Sequence, residues 1–259
     1  MPTVLDLEDK RVVITAGAAG IGRVIAKRFM EAGARVHICD RDDVALTAAA
    51  AALPGIGATQ ADVAEPDQVA RVFDEATAAL GGLDILVNNA GIAGPVALVE
   101  QISIEDWRAT LSVNLDGAFH CARLAAPLLK AAGGGCIVNM SSTAGLFGFA
   151  RRAPYVASKW ALIGFTKTLA MELGPHSIRV NAICPGCVEG ERIDRVIAAE
   201  AAARGISDRE VRDEWKAHIS MRSFVTPDDV AAMVLFVCSD GAGHVSGQAI
   251  AVDCHTESK

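Results

Sequence analysis

The sequence predicts a doubly wound α/β domain built on a mostly parallel seven-stranded sheet. Two observations carry that reading. Short β-branched runs alternate with longer stretches of helical period, and several runs are apolar without alternation, as strands covered on both faces require. The length of 259 residues suits one large domain of this class, and a 51% hydrophobic content is enough for its core.

The strands are expected over 12–15, 35–39, 57–61, 84–87, 136–140, 179–183 and 248–252. Between the first two, Ile21, Val24, Ile25 and Phe29 recur at helical spacing while Lys27, Arg28 and Glu31 take the other face, and Gly33 supplies a stop. The alanine-rich stretch 45–52 is a good helix former. Ser103 can cap a helix from about Ile104, with Asp106 at the reciprocal position. Right-handed crossovers then distribute the helices over both faces. From Glu189 to Lys216 half of the residues are charged. Within that segment Ile193, Val196 and Ile197 form one apolar stripe and Val211, Trp215 and Ile219 another, with a capping box from Ser207 to Glu210 between them. Two short amphipathic helices over about 189–220 would lie across the sheet edge as a substrate lid. Thr226, Pro227 and Asp229 open the last helix with a cap, a first-turn proline and a reciprocal acid.

Composition excludes several functions. The net charge of −7 argues against a nucleic-acid or anionic-membrane surface, which needs clustered positive charge. Seven irregularly spaced cysteines fit reduced thiols in a cytoplasm better than a disulfide framework. The amino terminus lacks the basic start and apolar run of a secretory signal, and the longest uncharged stretch, 131–150, is too rich in glycine and polar residues for a membrane helix.

Two constellations carry chemistry. The first follows the first strand as Thr15-Ala-Gly-Ala-Ala-Gly-Ile-Gly22 and runs straight into the amphipathic helix. Gly17, Gly20, Ile21 and Gly22 would let backbone N–H groups approach a pyrophosphate, whose charge the helix N-terminus favours. The second strand leads into Asp40, where a carboxylate can accept from a ribose 2′-hydroxyl and repel a 2′-phosphate, favouring NAD over NADP. Arg41 beside it could hold a 2′-phosphate instead. The bland alternative is a tight turn followed by a capping acid.

The second constellation centres on the chain's single tyrosine, Tyr155, in Tyr-Val-Ala-Ser-Lys159. Residues four apart share a helix face, so phenol and ammonium can reach one ligand. A neighbouring ammonium favours the phenolate and equips the phenol for proton transfer in an alcohol–carbonyl interconversion. The alternative is a tyrosine half-buried on a helix. Ser142 lies just beyond the fifth strand, at the sheet edge where ligands bind in such folds.

With these motifs in order, the sequence resembles the short-chain dehydrogenase/reductase family from Val12 to Asp253. Asp62-Val63, Asn88-Asn-Ala-Gly91, Asn114 and the Pro185-Gly186 turn complete the pattern. The resemblance implies a Rossmann-like single domain with Tyr155 as catalytic acid/base and Ser142 holding the substrate oxygen. It implies Lys159 on the nicotinamide ribose, and Asn114 anchoring a water in a proton relay to Lys159. Adenine would lie beside Asp62 and Val63, Asn89, Ala90 and Gly91 would line the cofactor, and Pro185, Gly186 and Val188 would clamp the carboxamide end. It also implies a homo-oligomer, a tetramer ahead of a dimer. Two departures bear on the cofactor: Ala16 stands where the family has glycine, and would be strained at positive φ, and Gly190 stands where a threonine is common.

Selectivity would come from the cleft mouth, residues 143–149, Arg151, Arg152 and the lid from Glu189 onward, with Ser142, Thr143, Phe149, Arg152 and Arg192 facing the substrate. Arg151, Arg152 and Arg192 can recognise an anionic group by paired hydrogen bonds, or else they are solvated and balance the acidic lid. The mixture favours a polyol, sugar or hydroxy acid over a steroid. The leading expectation is an NAD-dependent oxidation of a secondary alcohol. The rivals are an NADP-dependent carbonyl or 3-oxoacyl reductase and a non-catalytic dinucleotide sensor or scaffold. The Cys184-Pro-Gly-Cys187 motif could form a redox pair, but it straddles a turn after a buried strand with no thioredoxin-like surroundings. The six histidines show no metal spacing. His255 is expected at the surface or a subunit contact, within reach of the cleft.

Overall fold

The computed structural model describes residues 5–256, with the side chains of residues 192, 199 and 203 outside the description. Seven parallel strands, β1 (Arg11–Thr15), β2 (Arg35–Asp40), β3 (Gly57–Gln60), β4 (Ile85–Asn88), β5 (Gly135–Met140), β6 (Ile178–Pro185) and β7 (Ala249–Val252), form one sheet in the order β3-β2-β1-β4-β5-β6-β7. The expected strands are all present, with ends displaced by one or two residues.

Helices cover both faces. On one, α1 (Gly20–Glu31), α2 (Asp43–Ala52) and α9 (Pro227–Cys238) pack Ile25, Phe29, Leu46, Val230 and Val234 against Val12, Ile14 and Ile38. On the other, α3 (Pro66–Leu80), α5 (Gly117–Ala131) and α6 (Ala153–Leu173) pack Val72, Phe73, Ala122 and Leu169 against Val13, Leu86 and Ile137. Neighbouring residues of β1 thus serve opposite cores, which is why its sequence shows no polar alternation. The strand order reverses between β1 and β4, so the loops after these strands diverge and open a crevice at the carboxyl edge.

A helix α4 (Ile104–Leu111) precedes α5, and a π turn over Ser112–Asp116 joins them without a break. The cap on α4 differs from the expected box. Ser103 Oγ accepts from the Asp106 N–H, but the Asp106 carboxylate takes the Ser103 hydroxyl at 2.8 Å rather than the backbone N–H. The boxes at Ser207/Glu210 and Thr226/Asp229 are reciprocal, as the spacing predicts.

The charged segment folds as α7 (Glu191–Arg204) and α8 (Asp208–Ala217). They share a small core of Ile197, Ala201, Val211, Ile219 and Phe224, separate from the two sheet cores. Val196 is only partly buried and lies outside that core. Arg204 holds α8 through both Glu214 oxygens, at 2.7 and 3.0 Å, and Arg212 pairs with Asp194. At the base, Glu189 N–H donates to Val225 O and Val225 N–H to Cys187 O. Gly190 caps α7 at φ 134°, backbone that threonine rarely adopts.

Candidate active site

The loop after β1 is shaped by close contacts. A Cβ on Gly22 would lie 2.1 Å from Ala16 O and 2.5 Å from Asn89 Nδ2, and one on Gly17 would lie 2.5 Å from Ile38 Cγ2. Asn89 Nδ2 donates to the Thr15 and Ala16 carbonyls, while Thr15 Oγ1 accepts from the Asn89 and Ala90 N–H groups at 3.0 and 2.9 Å. These bonds lock the two loops flanking the crevice together. The N-terminus of α1 has alanine at its cap, no side-chain acceptor and no acid in its first turn. Its first N–H groups and partial positive charge therefore face the crevice uncompensated by the chain. This cradle fits a pyrophosphate.

Ala16 adopts φ 49°, the left-handed conformation in which an L side chain is strained. Ala16→Gly is expected to raise stability by about 0.5–1 kcal/mol, the strain relieved less the entropy of the added glycine. Thermal denaturation measures it; an unchanged or lower Tm would show that the loop absorbs the methyl group without strain.

Asp40 closes β2 half-buried beside this loop, accepting from Ala18 N–H at 3.3 Å and Asp42 N–H at 3.2 Å. Arg41 is exposed. Asp62 turns the chain after β3 by accepting from Ala64 N–H, and Val63 packs beneath α5 so closely that a Cβ on Gly117 would lie 2.7 Å from it.

At the other end of the crevice, α6 presents Tyr155 and Lys159. The Lys159 ammonium lies 5.7 Å from the Tyr155 ring centroid and donates to Met140 O at 2.7 Å, which ties it to the end of β5. Ser141 Oγ donates to the Lys159 carbonyl at 2.9 Å, fastening α6 to the same strand end. Ser142 follows in extended conformation and accepts from Ala144 N–H at 3.1 Å, heading a short turn over Thr143–Gly145. That turn presses against α6: a Cβ on Gly145 would lie 2.8 Å from Lys159 O. Thr143 is buried. Asn114, in the π turn, points inward. Its Oδ1 accepts from Ile92 N–H at 2.7 Å and its Nδ2 donates to Ile92 O and Ser158 Oγ, both at 3.0 Å. Gly91 brings the β4 loop against both groups, since a Cβ there would lie 3.3 Å from Asn114 Oδ1 and from Lys159 Nζ. The sequence-predicted Asn114, Tyr155 and Lys159 therefore meet beside the predicted cofactor-lining loop.

Arg152 is not the solvated side chain of the alternative reading. It is half-buried, donates to Ala93 O at 3.1 Å and places its guanidinium 5.0 Å from the Tyr155 ring centroid. Arg151 and Phe149 are exposed, and the Arg192 side chain lies outside the described residues. Pro185 ends β6, Gly186 follows it against Asp253, and Val188 bridges to Val225 at the base of α7. His255 is exposed and pairs through Nδ1 with Ser220 Oγ at 2.6 Å. Burial pushes the Cys184 and Cys187 thiols up to about 11, which disfavours the thiolate that redox exchange needs.

No role is expected from the sequence for Ser141 or Ser158, and Gly145 falls within the expected cleft mouth over 143–149. The signal for the two serines was present: Ser141 adjoins Ser142, and Ser158 sits between Tyr155 and Lys159, one helical turn from the phenol.

Comparison with known proteins defines the class. The profile of a family described as enoyl-(acyl carrier protein) reductase matches residues 16–254. The chain is 35% identical to the 3beta-hydroxysteroid dehydrogenase of Mediterraneibacter gnavus, covering 95% of this chain and 94% of that one. It is also 35% identical to the D-beta-hydroxybutyrate dehydrogenase of Cupriavidus necator, over 93% and 95% of the two chains. The crystal structure of gox2181 superposes with a TM-score of 0.89 at 30% identity, covering 97% of this chain and 96% of that one. Fold, crevice and relatives together describe an oxidoreductase that interconverts alcohol and carbonyl groups with a nicotinamide dinucleotide. The chain belongs to the short-chain dehydrogenase/reductase family.

Proposed function

We propose that the protein is an NAD-dependent dehydrogenase that oxidises a secondary alcohol of a small polar substrate, a polyol, sugar or hydroxy acid, and runs in reverse when the reduced cofactor dominates. The packing of Tyr155 between Lys159 and Arg152, next to Asn114 and Gly91, is the observation that carries this reading. When bound, the dinucleotide supplies nicotinamide C4 as hydride acceptor or donor. Gly17, Gly20, Ile21 and Gly22 would hold its pyrophosphate. Asp40 would take the adenosine ribose, Asp62 and Val63 the adenine side, Asn89, Ala90 and Gly91 the middle, and Pro185, Gly186 and Val188 the carboxamide end.

The remaining chemistry belongs to the side chains. The Tyr155 phenol takes the alcohol proton in oxidation and returns it in reduction. Lys159, held by Met140 O, keeps a positive charge beside the phenol and favours the form that accepts the proton. Ser142 Oγ accepts from Ala144 N–H, which leaves its hydroxyl hydrogen for the substrate oxygen. Asn114 has both carboxamide N–H groups committed, so it fixes the floor of the site and offers its remaining acceptors to a relay water. Arg152, beside the phenol, would hold an anionic or hydroxyl group of the substrate, with Thr143, Phe149 and Arg192 completing the mouth and α7–α8 forming the lid.

Asp40 supports NAD, because a carboxylate at the ribose repels a 2′-phosphate. The wild type is expected to show a higher kcat/KM with NAD, and Asp40→Ala to lower the NAD:NADP ratio of kcat/KM by about 10²-fold. A wild type that prefers NADP would favour the reductase reading, with Arg41 as the phosphate ligand.

A homotetramer is part of the proposal. Ile104, Trp107, Phe119, Trp160 and Met171 expose apolar surface on α4, α5 and α6, which a monomer would leave in water. Among the described residues no helix is long and apolar enough to cross a membrane. The cysteines are all free thiols, which supports a cytoplasmic setting.

A further inference from the structure

We propose that Ser158 is a positioning residue for the reaction, a side chain that fixes the Tyr155 turn of α6 to Asn114 and through it to the cofactor-lining loop. The inference rests on the reading of Tyr155 as the proton-transfer group. Ser158 is fully buried, with no exposed surface. Its hydroxyl donates to the Tyr155 carbonyl at 2.7 Å and accepts from Asn114 Nδ2 at 3.0 Å. Because its one hydrogen goes to Tyr155 O, a lone pair must face Asn114, so both bonds have a fixed direction.

Asn114 has little freedom of its own. The Ile92 N–H and carbonyl grip its carboxamide from the β4 loop, and the π turn over Ser112–Asp116 holds its backbone. The Ser158 hydroxyl thus joins three separate pieces of chain, namely the α6 turn bearing Tyr155, the π turn before α5, and the loop beyond Gly91. Lys159 follows Ser158 directly and is fastened on its other side by Met140 O and Ser141 Oγ. Ser141 and the Lys159–Met140 bond therefore hold this turn of α6 from the β5 side, and Ser158 holds it from the α5 side. Loss of the Ser158 hydroxyl loosens the turn on its α5 side while the β5 side stays fastened, which displaces the phenol relative to the substrate carbon. Displacement of about 1 Å at a reacting group costs on the order of 10²-fold in rate. Binding contacts made by the glycine cradle and Asp40, at the far end of the crevice, are untouched.

The test compares Ser158→Ala, Ser158→Thr and Tyr155→Phe in the full chain, using whichever alcohol the wild type oxidises. Ser158→Ala is expected to lower kcat about 10- to 100-fold, with the dinucleotide Kd changed by less than about twofold. Ser158→Thr keeps a hydroxyl able to bond the carbonyl one turn back and is expected to restore most of kcat. Ser158→Cys carries the same test if the alanine variant does not fold: sulfur is a poor acceptor at a longer distance, and its kcat should fall by about tenfold or more. A lowered Tm with wild-type kcat in the folded Ala or Cys variant would reduce Ser158 to a structural residue and overturn the proposal. If instead Tyr155→Phe keeps wild-type kcat, the underlying reading fails, and the two failures are distinguished by which variant retains activity.

Discussion

Tyr155→Phe is expected to lower kcat by about 10²–10⁴-fold, the range that one well-placed acid–base group contributes. The substitution removes an oxygen and little else. A phenyl ring keeps the packing between the Arg152 guanidinium and the Lys159 ammonium, whose contacts lie at 5.0 and 5.7 Å from the ring centroid. Lys159 retains its bond to Met140 O, so the buried charge is not orphaned. Stability and dinucleotide affinity should therefore stay near wild type, and the loss should appear in kcat rather than in binding. Steady-state kinetics with calorimetric titration of the dinucleotide separate the two effects. A kcat within a few-fold of wild type would remove Tyr155 from the chemistry.

Gly22→Ala should damage the protein in the opposite way, through binding and stability. The added methyl would sit 2.1 Å from Ala16 O and 2.5 Å from Asn89 Nδ2, an overlap with backbone that no rotamer relieves. Either α1 moves away from the β1 loop, or Asn89 releases the Thr15 and Ala16 carbonyls. Overpacking of this kind costs about 1–3 kcal/mol, and a distorted cradle should weaken dinucleotide binding by about tenfold or more, worth some 1.4 kcal/mol. Gly20→Ala is the contrast. No atom lies within 4 Å of its Cβ, but its φ of 52° makes alanine strained, at about 1–2 kcal/mol. It should lower Tm while changing affinity less. Equal losses of affinity in both variants would mean that backbone conformation, not the close approach at Gly22, shapes the cradle.

The sheet was legible in the sequence because each strand is a compact apolar run serving two cores at once; Val12, Val13 and Ile14 point to alternate faces and need no polar partner on either. The caps at Ser207 and Thr226 were legible because a box is a local device of fixed spacing. Tyr155 and Lys159 were legible as a pair one helical turn apart, and Asn114 by resemblance, but the bonds that fix them were not. Asn114 is aimed by a π turn, a departure from the 3.6-residue period that apolar spacing cannot register. Ser141 and Ser158 act through bonds to backbone carbonyls and to a side chain on another helix, 44 residues away in the case of Asn114. Arg152 is expected at the substrate with Arg192, and the fold adds that it is half-buried against Tyr155 and Ala93 while Arg151 is exposed. The strained φ at Ala16 was anticipated as a condition, and the loop meets it because the Ala16 carbonyl must turn toward Asn89.

Hydride transfer from a secondary alcohol is the claim on which the functional reading stands, and isotope tracing tests it most directly. Polyols, sugars, hydroxy acids and simple secondary alcohols, each deuterated at the carbinol carbon, are incubated with the enzyme and NAD, and the dinucleotide is analysed by mass spectrometry. At least one small polar alcohol is expected to deliver its deuterium to the nicotinamide ring, and Tyr155→Phe to slow this transfer by the factor given above. Label appearing only in water, or no reduced dinucleotide from any alcohol with either NAD or NADP, would contradict the claim.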